Sequence, residues 1–221
     1  RLSVYVRPSV YQLIKMANAV ARTTRNVGKL VANNSALFVC DMQEKFRGNI
    51  QKYPEIIEVA SRLVKTFSTL ELPIIATEQY PKGLGPTVAE LNLAEYGVEA
   101  IDKTQFSMCL PPIQEIIKEK NISSVVLCGI EAHVCVQQTT LDLLSSGIDV
   151  HIVVDACSSR SMTDRMYAFE RTRDAGAFLT TSESVILGIA GGSHHPKFRQ
   201  LQKLIWNSAP DTGLLAARKQ E

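Results

Sequence analysis

The sequence LCGIEAHVCVQQT, residues 127–139, joins an apolar segment to a helix and decides the fold class. Residues 125–128 form a short apolar run, as expected of a parallel strand that is buried on both faces. Gly129 ends this run, and the apolar spacing that follows, closed by Gly147, predicts a helix. Cys135 is therefore expected where the carboxyl end of a strand meets the first turn of a helix.

This position favours a reactive thiol at Cys135. Unpaired backbone N–H groups and the helix dipole favour a negative charge at the start of a helix, and these conditions lower the pKa of a thiol. A free cysteine is also among the most buried residue types, so Cys135 alone is explained as well by a small core side chain. A reactive role needs a base and a cation from neighbouring strands.

Apolar strand-like segments alternate with helical ones along most of the chain. This alternation predicts a doubly wound parallel sheet with helices on both faces, although periodicity does not give the order of the strands. The predicted strands lie at 35–40, 73–77, 97–101, 124–128, 149–155 and 177–180, and the other predicted helices at 54–70, 111–120, 162–175, 182–189 and 196–205.

Composition narrows the class of protein. The chain has 221 residues, of which 45% are hydrophobic and 21% are charged, which is typical of one globular α/β domain. A net charge of +2 gives no reason to expect nucleic acid as a partner. No apolar run approaches the length of a membrane span, so no membrane association is expected. Five cysteines without a C-x-x-C pair are typical of a reducing compartment.

Residues 1–34 differ from the rest of the chain. They contain six of the 24 basic residues and none of the 22 acidic ones, which is typical of a mitochondrial transit peptide. A disordered arm with a short helix at 10–20, or a native start at Met16 after upstream or vector-derived sequence, explains the segment as well. We expect one folded domain at 35–215, a tail at 216–221, and a cytoplasmic location with a mitochondrial one as the alternative, without secretion.

Three ionisable residues follow predicted strands whose carboxyl ends share one edge of the sheet. Asp41 follows the first strand, Lys103 the third and Cys135 the fourth. A carboxylate can take the proton of a thiol, an ammonium stabilises the thiolate, and the backbone N–H groups of Glu131 and Cys135 would hold an oxyanion. Taken singly, Asp41 could cap a loop and Lys103 could be a solvated surface residue.

Four segments together resemble the isochorismatase-like cysteine hydrolase superfamily. They are CDMQEKF at 40–46, TEQYPKGLG at 77–85, KTQFSM at 103–108 and GIEAHVC at 129–135. DACSSRS at 155–161 and SAPDTGLL at 208–215 narrow the match within it. The resemblance runs from about residue 35 to residue 215, and residues 1–34 lie outside it.

The resemblance implies a fold and a set of site residues. The fold is a three-layer α/β/α sandwich with a six-stranded parallel sheet, usually in a homo-oligomer. The catalytic triad of the superfamily corresponds to Asp41, Lys103 and Cys135. A cis peptide bond in front of the oxyanion-hole residue would join Ile130 to Glu131.

One departure from the superfamily bears on cofactors. Its nicotinamidase members bind a metal through an Asp-x-His soon after the triad aspartate, whereas residues 47–60 here contain neither Asp nor His. His133 is the only histidine near the predicted site, and one imidazole does not make a metal site. We therefore expect no metal and no cofactor. The presence of Cys135 favours attack on an amide, imide or ureide carbon of a small-molecule substrate.

Five side chains are candidates for the substrate pocket: Phe46, Gln79, Tyr80, Phe106 and His133. Aromatic faces often line such pockets, although core packing explains Phe106 and a solvated helix end explains His133 equally well. The leading prediction is a cysteine hydrolase. The alternatives are a non-catalytic module that binds a protein partner on the same scaffold, and a redox-sensing thiol protein.

Overall fold

The computed structural model describes residues 26–214. The predicted helix at 10–20, most of the arm predicted at 1–34 and the tail predicted at 216–221 lie outside this range. The predicted domain boundaries therefore stay predictions. Between residues 26 and 214, no helix is both long and apolar enough to cross a membrane.

Six parallel strands form one sheet, which confirms the predicted fold class. Their order is β3-β2-β1-β4-β5-β6, and all neighbours pair in parallel. The direction of winding reverses between β1 and β4, and ligands of open α/β sheets bind outside the carboxyl ends of strands at such a reversal. The strands are β1 (Ser35–Cys40), β2 (Ile74–Gln79), β3 (Ala100–Lys103), β4 (Ser124–Gly129), β5 (Asp149–Cys157) and β6 (Phe178–Thr180).

Helices cover both faces of the sheet. Helix α1 packs with α6 and α7 on one face, and α4 packs with α5 on the other. The helices are α1 (Tyr53–Thr69), α2 (Pro81–Leu84), α3 (Pro111–Glu119), α4 (Gln137–Ser145), α5 (Met162–Asp174), α6 (Ser182–Ala190) and α7 (Phe198–Leu204). Short 3-10 segments occupy Ala32–Asn34, Glu44–Phe46, Ala89–Leu91 and Leu93–Tyr96, and a π-helical turn occupies Ala132–Val136.

The centre of the sheet is the apolar core. Every residue of β1 and β4 is buried. Leu37 and Phe38 of β1 have no solvent exposure, and neither have Leu63 and Phe67 of α1, which packs on the sheet. Burying each of these side chains contributes about 1.5–3 kcal/mol. The packing fixes the two central strands, and it therefore also fixes the positions of the residues at their carboxyl ends.

Strands β2 and β3 end later than the apolar pattern predicts. β2 continues to Gln79 and β3 covers Ala100–Lys103, because the two strands pair through Gln79 and Lys103. Backbone hydrogen bonds extend a strand into polar residues, which hydrophobic periodicity cannot detect. Lys103 is therefore the last residue of β3 and does not lie in the following loop.

Candidate active site

Asp41 lies directly after β1 and is fixed by β2. Its backbone has a φ of 49°, in the left-handed region that Asp adopts more readily than most residues. The Asp41 N–H donates to the Thr77 carbonyl at 3.2 Å, and the Thr77 hydroxyl donates to Asp41 Oδ1 at 2.8 Å. Only 1% of Asp41 is exposed, so its carboxyl group depends on protein partners in place of water.

Lys103 is the main partner of this carboxyl group. Its Nζ lies 2.7 Å from Asp41 Oδ2, and both side chains are buried. The same ammonium donates to Gln79 Oε1 at 2.6 Å and to the carbonyls of Phe106 at 2.8 Å and Gln105 at 3.1 Å. A buried charge is stable only when several acceptors replace the lost water. These four contacts also hold Nζ in one position beside the carboxyl ends of the strands.

Cys135 lies in a wide helical turn between β4 and α4. The Glu131 carbonyl accepts from the N–H groups of Val134 at 3.0 Å and Val136 at 3.2 Å, on either side of Cys135. Cys135 Sγ lies 3.6 Å from Lys103 Nζ, and 6% of the residue is exposed. The regular helix predicted after Gly129 thus begins as a π-turn, a feature that is frequent at functional sites.

Gly129 allows the ends of β1 and β4 to approach closely. Its φ is 123°, and a Cβ atom at this position would lie 2.1 Å from the Cys40 carbonyl oxygen. The same carbonyl accepts from the Ile130 N–H at 3.0 Å. The peptide bond between Ile130 and Glu131 is cis. The chain segment that leads to Cys135 is therefore packed directly against the segment that carries Asp41.

The Glu131 N–H is available to an anion. It donates to no acceptor within residues 26–214, whereas the next N–H, of Ala132, donates to the Ser158 carbonyl at 2.8 Å. The Glu131 carboxylate accepts from the Arg160 N–H at 3.0 Å and from Arg160 Nε at 3.2 Å. These contacts fix the Glu131 residue, and its own N–H stays unpaired in the described part of the chain.

The electrostatics of the site favour proton transfer at Asp41. Burial raises the pKa of Asp41, and the Lys103 ammonium only partly opposes this. Burial alone would lower the pKa of Lys103, but its interactions with the Cys40, Asp41 and Cys135 side chains outweigh this effect and raise that pKa. Lys103 therefore stays a cation, beside a carboxyl group that binds a proton more readily than an ordinary aspartate.

Two of the three aromatic pocket candidates lie at the surface, and the third is half-buried. Tyr80 is 55% exposed and Phe106 is 49% exposed, while Phe46 is half-buried. Core packing, the alternative for Phe106, does not fit this exposure. Contact of the three rings with a substrate stays a prediction.

The polar pocket candidates already have protein partners. Gln79 accepts from Lys103 and donates through Nε2 to the Thr104 carbonyl at 2.8 Å, so its amide orientation is fixed. The His133 ring lies 3.0 Å from Ser159 Oγ through Nδ1. Gln79 therefore acts first on the position of Lys103, and a contact of either side chain with substrate stays a prediction.

Sequence reasoning missed Gln43, which organises one wall of the site. This residue has no exposure, and its side-chain amide pairs with the Gln79 backbone, donating to the carbonyl at 3.0 Å and accepting from the N–H at 2.8 Å. It also donates to the Gly85 carbonyl at 2.7 Å. Gln43 stands in the mostly polar stretch from Asp41 to Lys45, so no signal in the sequence distinguishes it from a loop residue.

A group of possible metal ligands overlaps the triad. The ligand atoms of Cys40, Asp41 and Cys135 all lie within 4.8 Å of one another. The Lys103 ammonium, however, contacts two of the three, at 2.7 Å and 3.6 Å. A second cation there would meet its repulsion, so this donor set suits proton transfer better than metal coordination.

A family model, described as the isochorismatase domain, matches residues 35–184. The chain belongs to the isochorismatase family. The resemblance to the isochorismatase-like superfamily is thus confirmed, and the family is one of hydrolases. In this family member, Cys40, Asp41, Lys103 and Cys135 lie close together.

Curated relatives and solved structures match most of the isochorismatase-family chain. Isochorismatase domain-containing protein 2 of Xenopus laevis is 52% identical over 193 residues, which is 87% of this chain and 93% of the relative. The Homo sapiens protein of that name is 51% identical over 196 residues, 89% and 95% respectively. A solved structure described as MAR1 ribonuclease from Caenorhabditis elegans is 57% identical, with a TM-score of 0.81, and covers 84% of this chain and 96% of its own.

Proposed function

We propose that this protein is a cofactor-free cysteine hydrolase that attacks an amide, imide or ureide carbon of a small molecule through Cys135. The supporting observation is the position of Lys103 Nζ, 2.7 Å from Asp41 Oδ2 and 3.6 Å from Cys135 Sγ. A thiol needs a base and a nearby cation to act as a nucleophile, and this contact supplies both.

The first half of the reaction forms a thioester. Asp41 takes the proton of Cys135, and the thiolate, stabilised by Lys103, adds to the substrate carbon. The Glu131 and Cys135 N–H groups hold the oxyanion, and one such donor contributes about 3–4 kcal/mol. Asp41 returns the proton to the leaving nitrogen as the C–N bond breaks.

The second half releases the acid. Asp41, ionised again, takes a proton from water, and the oxygen attacks the thioester carbon. The C–S bond breaks, Cys135 leaves as a thiolate beside Lys103, and Asp41 returns its proton to that thiolate to restore the resting enzyme. Because a single group accepts and returns the proton in both halves, the raised pKa of Asp41 suits its role.

The test is hydrolysis of an amide and ureide panel, with iodoacetamide labelling at neutral pH. Cys135→Ala should abolish both hydrolysis and stoichiometric labelling. Cys157→Ala is the matched control, since that buried thiol on β5 should affect neither. Labelling that spreads equally over the other cysteines would contradict the proposal.

A second candidate function is cleavage of RNA. It is favoured by the 57% identity to the C. elegans protein described as a ribonuclease. Asp41 would then serve as the base for a hydroxyl group, Lys103 would neutralise phosphate, and Cys135 would have no chemical role. The small net charge of +2 ranks this candidate second, and the expectation of no nucleic-acid partner stays a prediction.

One RNA experiment separates the two candidates. Single-stranded RNA is incubated with the wild type, with Cys135→Ala and with Asp41→Asn. Cleavage that Asp41→Asn loses and Cys135→Ala retains would favour the ribonuclease. Equal cleavage by all three proteins would indicate a contaminating nuclease and remove this candidate.

The protein-binding alternative and the assembly state have their own tests. A partner that still binds Cys135→Ala, with no hydrolysis across the panel, would favour a binding module. We also propose a homo-oligomer, to be measured by light scattering. The cytoplasmic or mitochondrial location stays a prediction that imaging of the full chain would check.

A further inference from the structure

Cys40 is a buried thiol that the hydrolytic mechanism does not use. It is the last residue of β1 and has no solvent exposure. Its thiol donates to Asp41 Oδ2 at 3.6 Å, and its Sγ lies within 4.8 Å of Cys135 Sγ. Two thiols and a carboxyl group thus share one small space at the carboxyl end of the sheet.

We propose that Cys40 and Cys135 form a dithiol that reduces a hydroperoxide and closes to a Cys40–Cys135 disulfide. The inference rests on the proposed function only in requiring a Cys135 thiolate, and it does not require amide hydrolysis. It adds a co-substrate class, the hydroperoxides, and gives Cys40 a chemical role as the resolving thiol.

The positions of the two thiols indicate which of them reacts with the peroxide first. Cys135 has some exposure and lies 3.6 Å from the Lys103 ammonium, so it meets the peroxide first. Cys40 has no exposure, and burial, with Cys135 and Asp41 nearby, raises the pKa of its thiol well above the usual value. Cys40 therefore stays protonated until Asp41 can take its proton.

The reaction balances in two steps. Asp41 takes the Cys135 proton and the thiolate attacks the outer oxygen of the hydroperoxide. An S–O bond forms, the O–O bond breaks, and the alkoxide takes that proton from Asp41 and leaves as an alcohol. Asp41 then accepts the Cys40 proton, the Cys40 sulfur attacks the Cys135 sulfenic acid, the S–S bond forms and the hydroxyl leaves as water. Two thiols supply the two electrons that reduce the peroxide.

The other three cysteines are placed differently. Cys128 and Cys157 are buried on β4 and β5, and Cys109 lies before α3. Within residues 26–214, the cluster of close ligand atoms around Asp41 contains only the thiols of Cys40 and Cys135. Cys40 is thus the resolving partner that the geometry offers, and Cys157 serves as a control.

The experiment oxidises the full chain with two equivalents of hydrogen peroxide, enough to take a single thiol to sulfinic acid, blocks free thiols and maps peptides without reduction. The wild type should lose two hydrogen atoms in mass and yield a Cys40–Cys135 cross-linked peptide that dithiothreitol reverses. Cys40→Ser should instead accumulate sulfinic acid at Cys135, which dithiothreitol does not reverse. Cys157→Ser should behave like the wild type.

Two outcomes would overturn the inference. One is a wild type that accumulates Cys135 sulfinic acid while Cys40 remains a free thiol. The other is a disulfide that joins a different pair of cysteines. A thermal melt of Cys40→Ser checks that it is folded, and a Cys40–Cys135 disulfide in a protein that hydrolyses no amide would reject the hydrolase proposal alone.

Discussion

Two opposite influences act on the pKa of Asp41. Burial raises its pKa, while Lys103, Cys135 and Thr77 stabilise the ionised form. A base must be ionised to accept a proton, so activity should fall as the pH drops through the Asp41 pKa. This acidic limb should therefore lie above the range of an ordinary aspartate.

Thr77→Val should move this limb further toward neutral pH. The substitution keeps the shape of the side chain but removes the hydroxyl that donates to Asp41 Oδ1 at 2.8 Å, so the carboxylate loses a stabilising contact. The measurement is the rate of Cys135 alkylation against pH. Thr172→Val, at another buried hydroxyl, should leave the limb in place; an unchanged limb in Thr77→Val would contradict the role of Asp41 as base.

Gln79→Leu should slow the alkylation of Cys135 by about tenfold at neutral pH. The variant removes the acceptor 2.6 Å from Lys103 Nζ, and a hydrogen bond to a charged group is worth about 1.5–3 kcal/mol. Gln79→Glu, which keeps an acceptor, should restore the position of Lys103. The exposed Gln114→Leu is the control, and equal rates in Gln79→Leu and the wild type would show that Lys103 needs no such support.

Some residues of the site could be predicted from sequence and others could not. Asp41 and Cys135 follow apolar strands, so their position at the same edge of the sheet could be predicted. Cys40 was hidden because a cysteine at the end of an apolar run looks like core. The hydrogen bond from Lys103 to Gln79 could not be predicted, because it depends on the pairing of two strands, which no local pattern encodes.

The close approach of strands β1 and β4 depends on one glycine, Gly129. Gly129→Ala should destabilise the fold by about 3 kcal/mol or more, because its Cβ would meet the Cys40 carbonyl and φ is 123°. Gly188→Ala, in α6 with no atom near the added Cβ, should instead raise stability by about 0.5–1 kcal/mol. Urea unfolding measures both; similar stabilities of the two variants would refute this account.

Most of the long helices and strands could be predicted, whereas the short helix α2, the π-turn and the ends of β2 and β3 could not. The alternation of strand and helix gave the long elements, since buried parallel strands and amphipathic helices have distinct patterns. The π-turn at Ala132–Val136 has no such pattern, because its hydrogen bonds differ from those of a regular helix by one residue. The ends of β2 and β3 consist of polar residues and depend on pairing between strands.

The buried guanidinium of Arg165 links the end of the described chain to the sheet. Arg165 of α5 has no exposure and donates to the carbonyls of Thr212 at 2.6 Å and Val154 at 3.0 Å. Burial lowers its pKa to about 10, so it remains charged at neutral pH. The contact between α5 and the segment at Thr212 could not be predicted, because periodicity does not give contacts between distant segments.

Arg165→Ala should cost about 3 kcal/mol or more. The carbonyls of buried Thr212 and half-buried Val154 would lose their donor, and a large buried side chain would leave a cavity. Urea unfolding measures the loss of stability. Limited proteolysis should cut the segment around residues 207–214 faster in the variant than in the wild type. The exposed Arg173→Ala should change stability by less than about 0.5 kcal/mol, and a similar value for Arg165→Ala would rule out the tie.

Strand β3 is one of the two edge strands of the sheet and has only four residues, yet it carries Lys103. A short edge strand frays before the centre of a fold melts, so the cation should detach from Asp41 while β1 and β4 are still intact. In a urea titration, reactivity at Cys135 should disappear before the circular dichroism signal does. If the two curves coincide, the margin of the sheet is as firmly held as its middle.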